Sequence, residues 1–308
     1  MIALAIAAGG CAKSTAAAPK TPVDTTDVTA TSAESSVPTS LPTSSAPPSA
    51  ETPVAAGPRL LEAGLDGEDV TKLQTRLNEI AFDVRKPDGY FGEQTKKAIW
   101  SYQQRVLGLP SDDVTGKVTP TLFDRIMQPL DLPPRRPDAS PTHAEIDLPS
   151  QTMVVYVDKK VKLITHVSSG TGEKWCAQPR NVPDYIGATT TTLPSGRRMR
   201  RVCGISITPA GVYKIDRKEK GWYDIPLGKV YNPMFFNGGI AIHGYEDIPF
   251  LPASHGCVRI PMHVAEYIGD ILHTGDQIFV FDGVKEPEEY GSPVPPQDKP
   301  DPTDTSGG

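Results

Sequence analysis

The stretch Ile240–Pro261, IAIHGYEDIPFLPASHGCVRIP, places one cysteine close to two histidines. Cys257 lies two residues after His255 and fourteen after His243, and Gly256 directly precedes it. A thiol needs a base to become a thiolate at neutral pH, and a neighbouring imidazole usually supplies it. A glycine before the nucleophile allows a substrate carbonyl to approach backbone N–H groups closely. The stretch therefore predicts a cysteine nucleophile with a histidine base.

Two other chemistries fit this stretch poorly. A metal site would need paired ligands, and no CxxC or HExxH motif accompanies the candidate ligands His243, His255, Cys257 and Cys203. A papain-like protease would carry its cysteine before its histidine, within a different local signature. We therefore expect no metal and no cofactor. The other histidines are expected to be structural, namely His143, His166, His263 and His273.

The residues on both sides of this stretch form short apolar and alternating runs, which are typical of β-strands. Such runs occupy 145–148, 152–157, 162–167, 211–215, 235–242 and 277–281. After the cysteine, Val264, Ile268 and Leu272 recur at helical spacing, with Pro261 near the start of that helix. Residues 143–283 are therefore predicted to form a mostly β domain with one or two helices.

The segment 59–128 has a helical period instead. Three amphipathic helices are expected, with faces formed by Val70, Leu73, Leu77 and Ile80, by Thr95, Ala98, Ile99 and Tyr102, and by Leu122, Phe123 and Ile126. Thr119 and Pro120 supply an N-cap and a first-turn proline for the third helix. The segment predicts a small three-helix module, which makes the chain an α+β multidomain protein.

Three further segments are not expected to form domains. Ala, Ser, Thr and Pro dominate 12–58, and prolines recur in the tail 284–308, so both are expected to be disordered. The proline-rich segment 129–142 is expected to be a short, stiff linker between the two domains.

Residues 1–11 form an apolar run that ends in small residues and Cys11. This run resembles the end of a bacterial lipoprotein signal, in which the cysteine is lipidated and anchors the protein to the membrane. A plain secretory signal or an ordinary apolar start is the alternative, because a basic n-region is missing. We expect an exported protein, at the outer face of the cytoplasmic membrane or in the cell wall or periplasm.

Charge and cysteine usage narrow the function further. The net charge is −6, and the one basic cluster, Arg197, Arg198, Arg200 and Arg201, interrupts a loop, so nucleic-acid binding is not expected. In an exported protein, Cys176 and Cys203 suggest a disulfide, which would contribute roughly 3 kcal/mol. Two free thiols are the alternative, because spacing alone does not establish pairing.

Within 59–128, the motifs GEDVTKLQTRL, DGYFGEQT and AIWSYQ resemble the peptidoglycan-binding domain 1 family. That family is a three-helix module found on many cell-wall enzymes. The resemblance implies that this module holds the protein on peptidoglycan.

The strand TPAGVYKI at 208–215 and the HG and SHGCVR motifs together resemble the L,D-transpeptidase catalytic domain, also called the YkuD fold, over about 143–282. In that family a cysteine attacks the carbonyl of the third residue of a tetrapeptide stem, and D-Ala leaves. The amine of a second stem then resolves the thioester, which gives a 3→3 crosslink. Carbapenem-type inhibitors are expected to acylate the same cysteine.

Carried over by position, the resemblance implies that Cys257 is the nucleophile and His243 the general base and acid. The backbone N–H groups of Gly256 and Cys257 would form the oxyanion hole. Ser254, His255 and Arg259 match motif positions that shape the pocket. This chain departs from the family at Tyr245, where many members have a small hydroxyl residue, and in the long insert 173–202, which is expected to form a lid or substrate wall.

Three functions remain open from the sequence. The first is an L,D-transpeptidase, and the second is an L,D-carboxypeptidase that uses water as the acyl acceptor. The third is a non-catalytic wall-binding lipoprotein, which the intact Cys257 and His243 argue against.

Overall fold

The computed structural model describes residues 59–176, 189–192, 198–201, 203–225 and 227–291. The expected signal, the lipidation of Cys11 and the linker 12–58 lie outside these residues. So do most of the predicted tail and Arg197 of the basic cluster.

The segment from residue 59 to residue 128 forms the three helices that its periodicity predicts. They are α1 (Glu68–Glu79), α2 (Glu93–Ser101) and α3 (Pro120–Met127). The N-cap of α3 is Thr119, whose Oγ1 accepts from the N–H of Leu122 at 3.2 Å. Helix α1 begins after Gly67 without a side-chain cap, and α2 continues into a π-helical turn at Tyr102–Val106. We call this unit the helical module.

The remaining described chain is mostly β, as predicted. A five-stranded sheet has the order β3-β2-β1-β14-β8, formed by β1 (His143–Asp147), β2 (Thr152–Val157), β3 (Lys160–His166), β8 (Gly211–Lys214) and β14 (Gln277–Phe281). A second sheet has the order β10-β11-β12-β13, with β9 beside β11. Its strands are β9 (Arg217–Lys218), β10 (Trp222–Ile225), β11 (Gly228–Asn237), β12 (Ile240–Tyr245) and β13 (Val258–Pro261).

In the part of the chain that the structure describes, two short antiparallel pairs lie within and directly after the predicted insert 173–202. Strand β4 (Lys174–Cys176) pairs with β7 (Cys203–Ile205), and β5 (Thr189–Thr192) pairs with β6 (Arg198–Arg201). In the first pair the Cα atoms of Cys176 and Cys203 are register partners.

The two large sheets and helix α4 (Met262–Ile271) share one apolar core. Ala144, Ile146, Met153 and Val155 contribute to it from the first sheet. The second sheet and α4 contribute Ile242, Val258, Ile260, Val264 and Ile268. This core fixes β12 and β13, the two strands that flank the Ser254–Cys257 segment.

The opposite face of the first sheet packs against the helical module. Val154, Tyr156 and Ile164 belong to the same buried cluster as Leu73, Phe82, Ile99 and Ile126. Asp83 extends this contact to α4, because the Tyr267 hydroxyl donates to its Oδ2 at 2.5 Å. The helical module and the β domain therefore bury apolar surface against each other.

The proline-rich segment after α3 also lies against the β domain. Leu130 and Leu132 pack on the cluster shared with the helical module. The Arg135 guanidinium lies 3.7 Å from the centre of the Phe281 ring and pairs with Asp147 at 3.2 Å. These contacts hold the segment against the β domain, whereas a linker that only connects two domains needs no such contacts.

Strands β4–β7, β9, β10 and β13 were not among the expected strands, and two further segments differ from what was expected of them. The run 235–242, expected as one strand, is divided between β11 and β12 by a turn at Gly238 and Gly239, because Gly238 has a φ of +57° that reverses the chain. Ordered structure also extends into the expected tail as far as Gly291. There Arg136 pairs with Glu286 and Glu288, and the Tyr290 hydroxyl donates to Asp282.

No helix in the part of the chain that the structure describes is both long enough and apolar enough to cross a membrane.

Candidate active site

Cys257 and His243 are carried by two neighbouring parallel strands. In the register of β12 and β13, Ile242 is opposite Val258 and His243 is opposite Arg259. Cys257 directly precedes β13, two residues before Arg259, so its side chain and that of His243 are expected on one face of the sheet. Strand spacing and residue rise put their Cα atoms about 8 Å apart, a span that the two side chains can bridge. Strand β12 and the residue before β13 therefore carry the two side chains that the sequence predicts as a pair.

The His243 imidazole is 3% exposed, and a backbone contact selects its tautomer. Nδ1 lies 2.9 Å from the carbonyl oxygen of Gly244, and a carbonyl can only accept, so Nδ1 carries the hydrogen. Nε2 is then left with a free lone pair. Burial lowers the pKa of His243 to about 4, and the nearby Arg259 charge acts in the same direction. The ring is thus a neutral base at physiological pH.

The Cys257 thiol is half-buried, and its Sγ lies 3.7 Å from the carbonyl oxygen of Gly239. Burial raises the pKa of the thiol, while a hydrogen bond from the Ala241 backbone and the charge of Arg259 oppose this rise. The thiol is therefore the resting form at neutral pH. A base must take its proton before the sulfur can attack a carbonyl.

The segment Ser254–Cys257 is a tight bend held from within. The buried Ser254 Oγ donates to the carbonyl oxygen of Cys257 at 2.5 Å and accepts from the N–H of Gly256 at 3.0 Å. Thr208 Oγ1 donates to the carbonyl oxygen of Gly256 at 2.7 Å. Gly256 itself has a φ of +131°, and a Cβ there would lie 2.8 Å from the carbonyl oxygen of Ile207. The bend therefore requires glycine at this position.

These contacts bear on the predicted oxyanion hole. The Gly256 N–H already donates to Ser254 Oγ, so it is not free to hold an oxyanion in this arrangement. By contrast, the Cys257 N–H has no hydrogen-bond partner among the described residues. Of the two predicted donors, the cysteine's own N–H is the one available.

Arg259 and Tyr245 lie on the same face as the imidazole. The guanidinium carbon of Arg259 is 4.1 Å from the centre of the Tyr245 ring, a cation–π arrangement. The Tyr245 ring meets the His243 ring edge to face, with centroids 6.0 Å apart. The bulky residue that departs from the family pattern thus contacts both the candidate base and the arginine.

His255 lies at the exposed edge of the site. Its ring meets Trp175 of β4 edge to face, with centroids 5.5 Å apart. Partial burial and the Arg259 charge lower the pKa of His255. The start of the predicted insert, at Trp175, therefore lies beside the bend that carries Cys257. Residues 177–188 of that insert lie outside the described residues.

A polar run after β3 supports the bend from its other side, and sequence reasoning did not assign it a role. The N–H and carbonyl of Ser168 pair with those of Arg259 at 3.1 and 3.0 Å. Ser169 accepts from the N–H of Ser254 at 2.9 Å, and the Gly170 N–H donates to Thr208 Oγ1 at 3.0 Å. The small-residue sequence SSGTG at 168–172 was the available signal of such close backbone contact.

Within the described residues, no three His, Cys, Asp or Glu side chains are grouped closely enough to hold a metal ion. The metal ligand set considered from the sequence included Cys203, whose side chain lies outside the description.

Comparison with known proteins assigns both folded parts of the chain. Residues 141–280 match the model of the L,D-transpeptidase catalytic domain, the YkuD family. Residues 66–126 match the model of a peptidoglycan binding domain.

One solved structure and two curated proteins show how much of this chain is similar to known proteins. The crystal structure of an L,D-transpeptidase (residues 123-326) from Xylanimonas cellulosilytica is 29% identical, with a TM-score of 0.56, and the match covers 73% of this chain and 99% of that one. An N-acetylmuramoyl-L-alanine amidase, CwlM, from Mycobacterium tuberculosis is 46% identical over 57 residues, which are 18% of this chain and 14% of that protein. A spore cortex-lytic enzyme from Bacillus cereus is 39% identical over 61 residues, 20% of this chain and 23% of its own length. The chain thus spans less than a quarter of either curated relative.

Proposed function

Because residues 141–280 belong to the L,D-transpeptidase catalytic domain family and residues 66–126 to a peptidoglycan binding domain family, we propose that this protein is a peptidoglycan L,D-transpeptidase with Cys257 as its nucleophile. One observation supports this above the others. The register of β12 and β13 puts Cys257, whose thiol is half-buried, and His243, whose Nε2 is unprotonated, at positions where both side chains are expected on one face of the sheet.

In the first half-reaction, the thiol turns from the Gly239 carbonyl toward His243, and Nε2 takes its proton. The thiolate attacks the carbonyl carbon of the third residue of a tetrapeptide stem, and the carbonyl electrons move onto oxygen. The oxyanion collapses, the bond to the D-Ala nitrogen breaks, and the imidazolium returns the proton to that nitrogen. D-Ala leaves, and the stem remains as a thioester on Cys257.

In the second half-reaction, the amine of another stem attacks the thioester carbonyl. His243 takes a proton from this amine and passes it to the departing sulfur, which restores the thiol. The product is a 3→3 crosslink. An imidazole that is neutral at physiological pH can serve as the base in both halves, because burial lowers its pKa to about 4.

The free N–H of Cys257 is the donor that we assign to the oxyanion. The Gly256 N–H can join it only after releasing Ser254 Oγ. Removing one oxyanion-hole donor typically costs about 2.7–4 kcal/mol of barrier. Ser254 then holds the bend, while Arg259, Tyr245 and His255 line the space around the thiol.

The test uses purified protein, disaccharide-tetrapeptide and product analysis by mass spectrometry. We expect a 3→3 dimer from the unaltered protein and none from Cys257→Ala or His243→Ala. The matched control is His273→Ala, because the His273 side chain is 66% exposed and its ion-pair partner is Asp276, outside the motif. It should retain full activity.

The products also separate the alternatives. Tripeptide without dimer would establish water as the acceptor and replace the transpeptidase by an L,D-carboxypeptidase. No turnover on several stems, together with no carbapenem adduct on Cys257, would leave a wall-binding protein without this activity.

We also propose that the helical module binds peptidoglycan and that a lipid on Cys11 anchors the chain outside the cytoplasm. The residues after Cys11 would reach on the order of 40 Å as a flexible coil, which is enough to separate the folded part from a membrane. Cys11→Ala should move the protein out of the membrane fraction. An unchanged fractionation would exclude the anchor while leaving the catalytic proposal intact.

A further inference from the structure

Residues 249–253, between His243 and Cys257, receive polar contacts from one short segment of the chain. His166 Nε2 donates to the carbonyl oxygen of Pro249 at 2.9 Å, and Ser168 Oγ donates to that of Leu251 at 3.0 Å. The Ala253 N–H donates to the carbonyl oxygen of Ser169 at 3.1 Å. Residues 246–253, which we call the crossover loop, are therefore positioned by residues 166–169.

The helical module contacts both the crossover loop and its anchor through one side chain. The ring of Trp100, in α2, lies 5.1 Å from that of Phe250 and 5.3 Å from that of His166, measured between centroids. The Phe250 and His166 rings are nearly parallel, at 10°, with centroids 6.3 Å apart. Trp100, His166 and Phe250 thus form a three-ring cluster between α2 and the crossover loop.

This cluster is fixed on its module side. The Lys96 ammonium lies 5.0 Å from the centre of the Trp100 ring, and a Cβ at Gly116 would lie 2.6 Å from Trp100 Nε1. His166 is 1% exposed, and burial lowers its pKa to about 4, so its ring is neutral. Its contacts with Trp100 and Phe250 are therefore between uncharged rings, whose preferred geometries are edge-to-face and offset stacking.

We propose that Trp100 is a positioning residue for the nucleophile, acting through Phe250 and His166 on the crossover loop that leads to Cys257. The helical module then has a role beyond binding peptidoglycan, because one of its helices forms part of the support of the active site. The inference rests on the proposed function only for its kinetic consequence. Displacement of a reacting group by about 1 Å can cost on the order of 100-fold in rate.

The test measures two quantities on the full chain. The first is the rate at which a carbapenem acylates Cys257, followed by intact mass, since this small reagent needs no binding by the module. The second is amide hydrogen exchange in the peptide that covers 246–257. Trp100→Ala should slow acylation at least tenfold and speed exchange in this peptide, while Trp100→Phe should restore both to within about threefold.

Two further variants sharpen the test. Tyr90→Ala removes an aromatic ring that is 52% exposed on the same module, and it should change neither quantity. Phe250→Ala should reproduce the Trp100→Ala defect, and the double variant should be no slower than the slower single one, because both remove the same contact. If Trp100→Ala does not fold, Phe250→Ala and Trp100→Phe decide whether Trp100 is a positioning residue.

An unchanged acylation rate in folded Trp100→Ala or Phe250→Ala would overturn the positioning role. If the unaltered protein is not acylated, the exchange data alone decide whether Trp100 positions the crossover loop, and the proposed function fails as well only if no stem is turned over. Unchanged exchange would then overturn it.

Discussion

The proposed chemistry of the site depends on the His243 imidazole, whose protonation state is set by its surroundings. The carbonyl of Gly244 holds the hydrogen on Nδ1 of His243, so Nε2 is the nitrogen that can accept a proton. Burial disfavours the charged ring and lowers its pKa to about 4, well below the usual value near 6.5. The base therefore remains competent in acidic surroundings where an exposed histidine would be protonated.

A pH profile checks this state of His243. As pH falls, acylation of Cys257 by a carbapenem should decline with a midpoint near 4, because only then does the imidazole bind a proton and cease to be a base. The measurement is the second-order rate constant between pH 3.5 and 8, with circular dichroism at each pH. A midpoint near 6.5 in protein that is still folded would contradict it.

The bend before the nucleophile yields a second prediction at the scale of one residue. Gly256→Ala places a Cβ 2.8 Å from the carbonyl oxygen of Ile207 at a φ of +131°, so it should cost roughly 1–3 kcal/mol in the free energy of unfolding. Acylation of Cys257 should also slow, because its N–H moves with the bend. Urea denaturation and acylation kinetics measure both effects.

The matched control is Gly269→Ala in α4, where a new Cβ meets nothing within 4 Å. Alanine is the better helix former, so this variant should be as stable as the unaltered protein or more so. Equal effects of the two substitutions would mean that the bend does not require glycine.

Among the elements, the helices and about half of the strands followed from local periodicity, whereas β4–β7, β9, β10 and β13 were not predicted. The faces of α1 and α3 and the apolar runs of β2 and β14 are formed by residues close in sequence, so the sequence shows them directly. The run 235–242 was expected as one strand because it is apolar on both sides of Gly238 and Gly239. The apolar pattern alone therefore does not show the chain reversal between β11 and β12. The glycine pair was the local signal of that turn.

The residues of the candidate site also differ in whether the sequence could predict them. Cys257 and His243 share one short motif, so their proximity could be predicted. The support from Thr208 and Ser168 could not be predicted, because it comes from hydrogen bonds between residues about fifty and ninety positions apart, which no local pattern records. The contact of Trp100 with Phe250 joins two segments that the sequence assigns to separate domains.

The pair β4–β7 carries a prediction about its cysteines. Directly opposite residues of antiparallel strands have Cα atoms about 4.5–5.5 Å apart, within the range that a disulfide spans. Because the register places Cys176 opposite Cys203, we expect them to be joined in protein isolated from an oxidising compartment. Non-reducing peptide mapping of Cys257→Ala, which removes the thiol that could exchange, should recover the two peptides linked.

The energetic consequence can be measured on the same pair. Replacing both cysteines with serine should lower the free energy of unfolding by about 3 kcal/mol, the loop-closure contribution for a loop of this length. Complete alkylation of Cys176 and Cys203 without reductant would exclude the bridge.

At the scale of the whole molecule, the two parts that the sequence separates are joined by buried surface. Val154, Tyr156 and Ile164 of the first sheet lie in the core of the helical module, and the 129–142 segment is held against the β domain by Arg135 and by Leu132. If the two parts were independent domains joined only by a linker, the helical module would not cover these three sheet residues, and they would be exposed. Stability of one part therefore depends on the other.

The shared core determines how the helical module and the β domain are expected to unfold. The chain from residue 59 onward should unfold in one transition, with calorimetric and van 't Hoff enthalpies in agreement. A background with Trp175→Phe and Trp222→Phe leaves Trp100 as the tryptophan that reports on the helical module, and its fluorescence should change at the same urea concentration as the far-ultraviolet circular dichroism. Ile164→Ala, a change in β3 alone, should lower both midpoints together and reduce the free energy of unfolding by about 2–5 kcal/mol, because it leaves a cavity between sheet and helices. Two separate transitions, or a Trp100 signal that ignores Ile164→Ala, would show that the helical module folds independently of the sheet it covers.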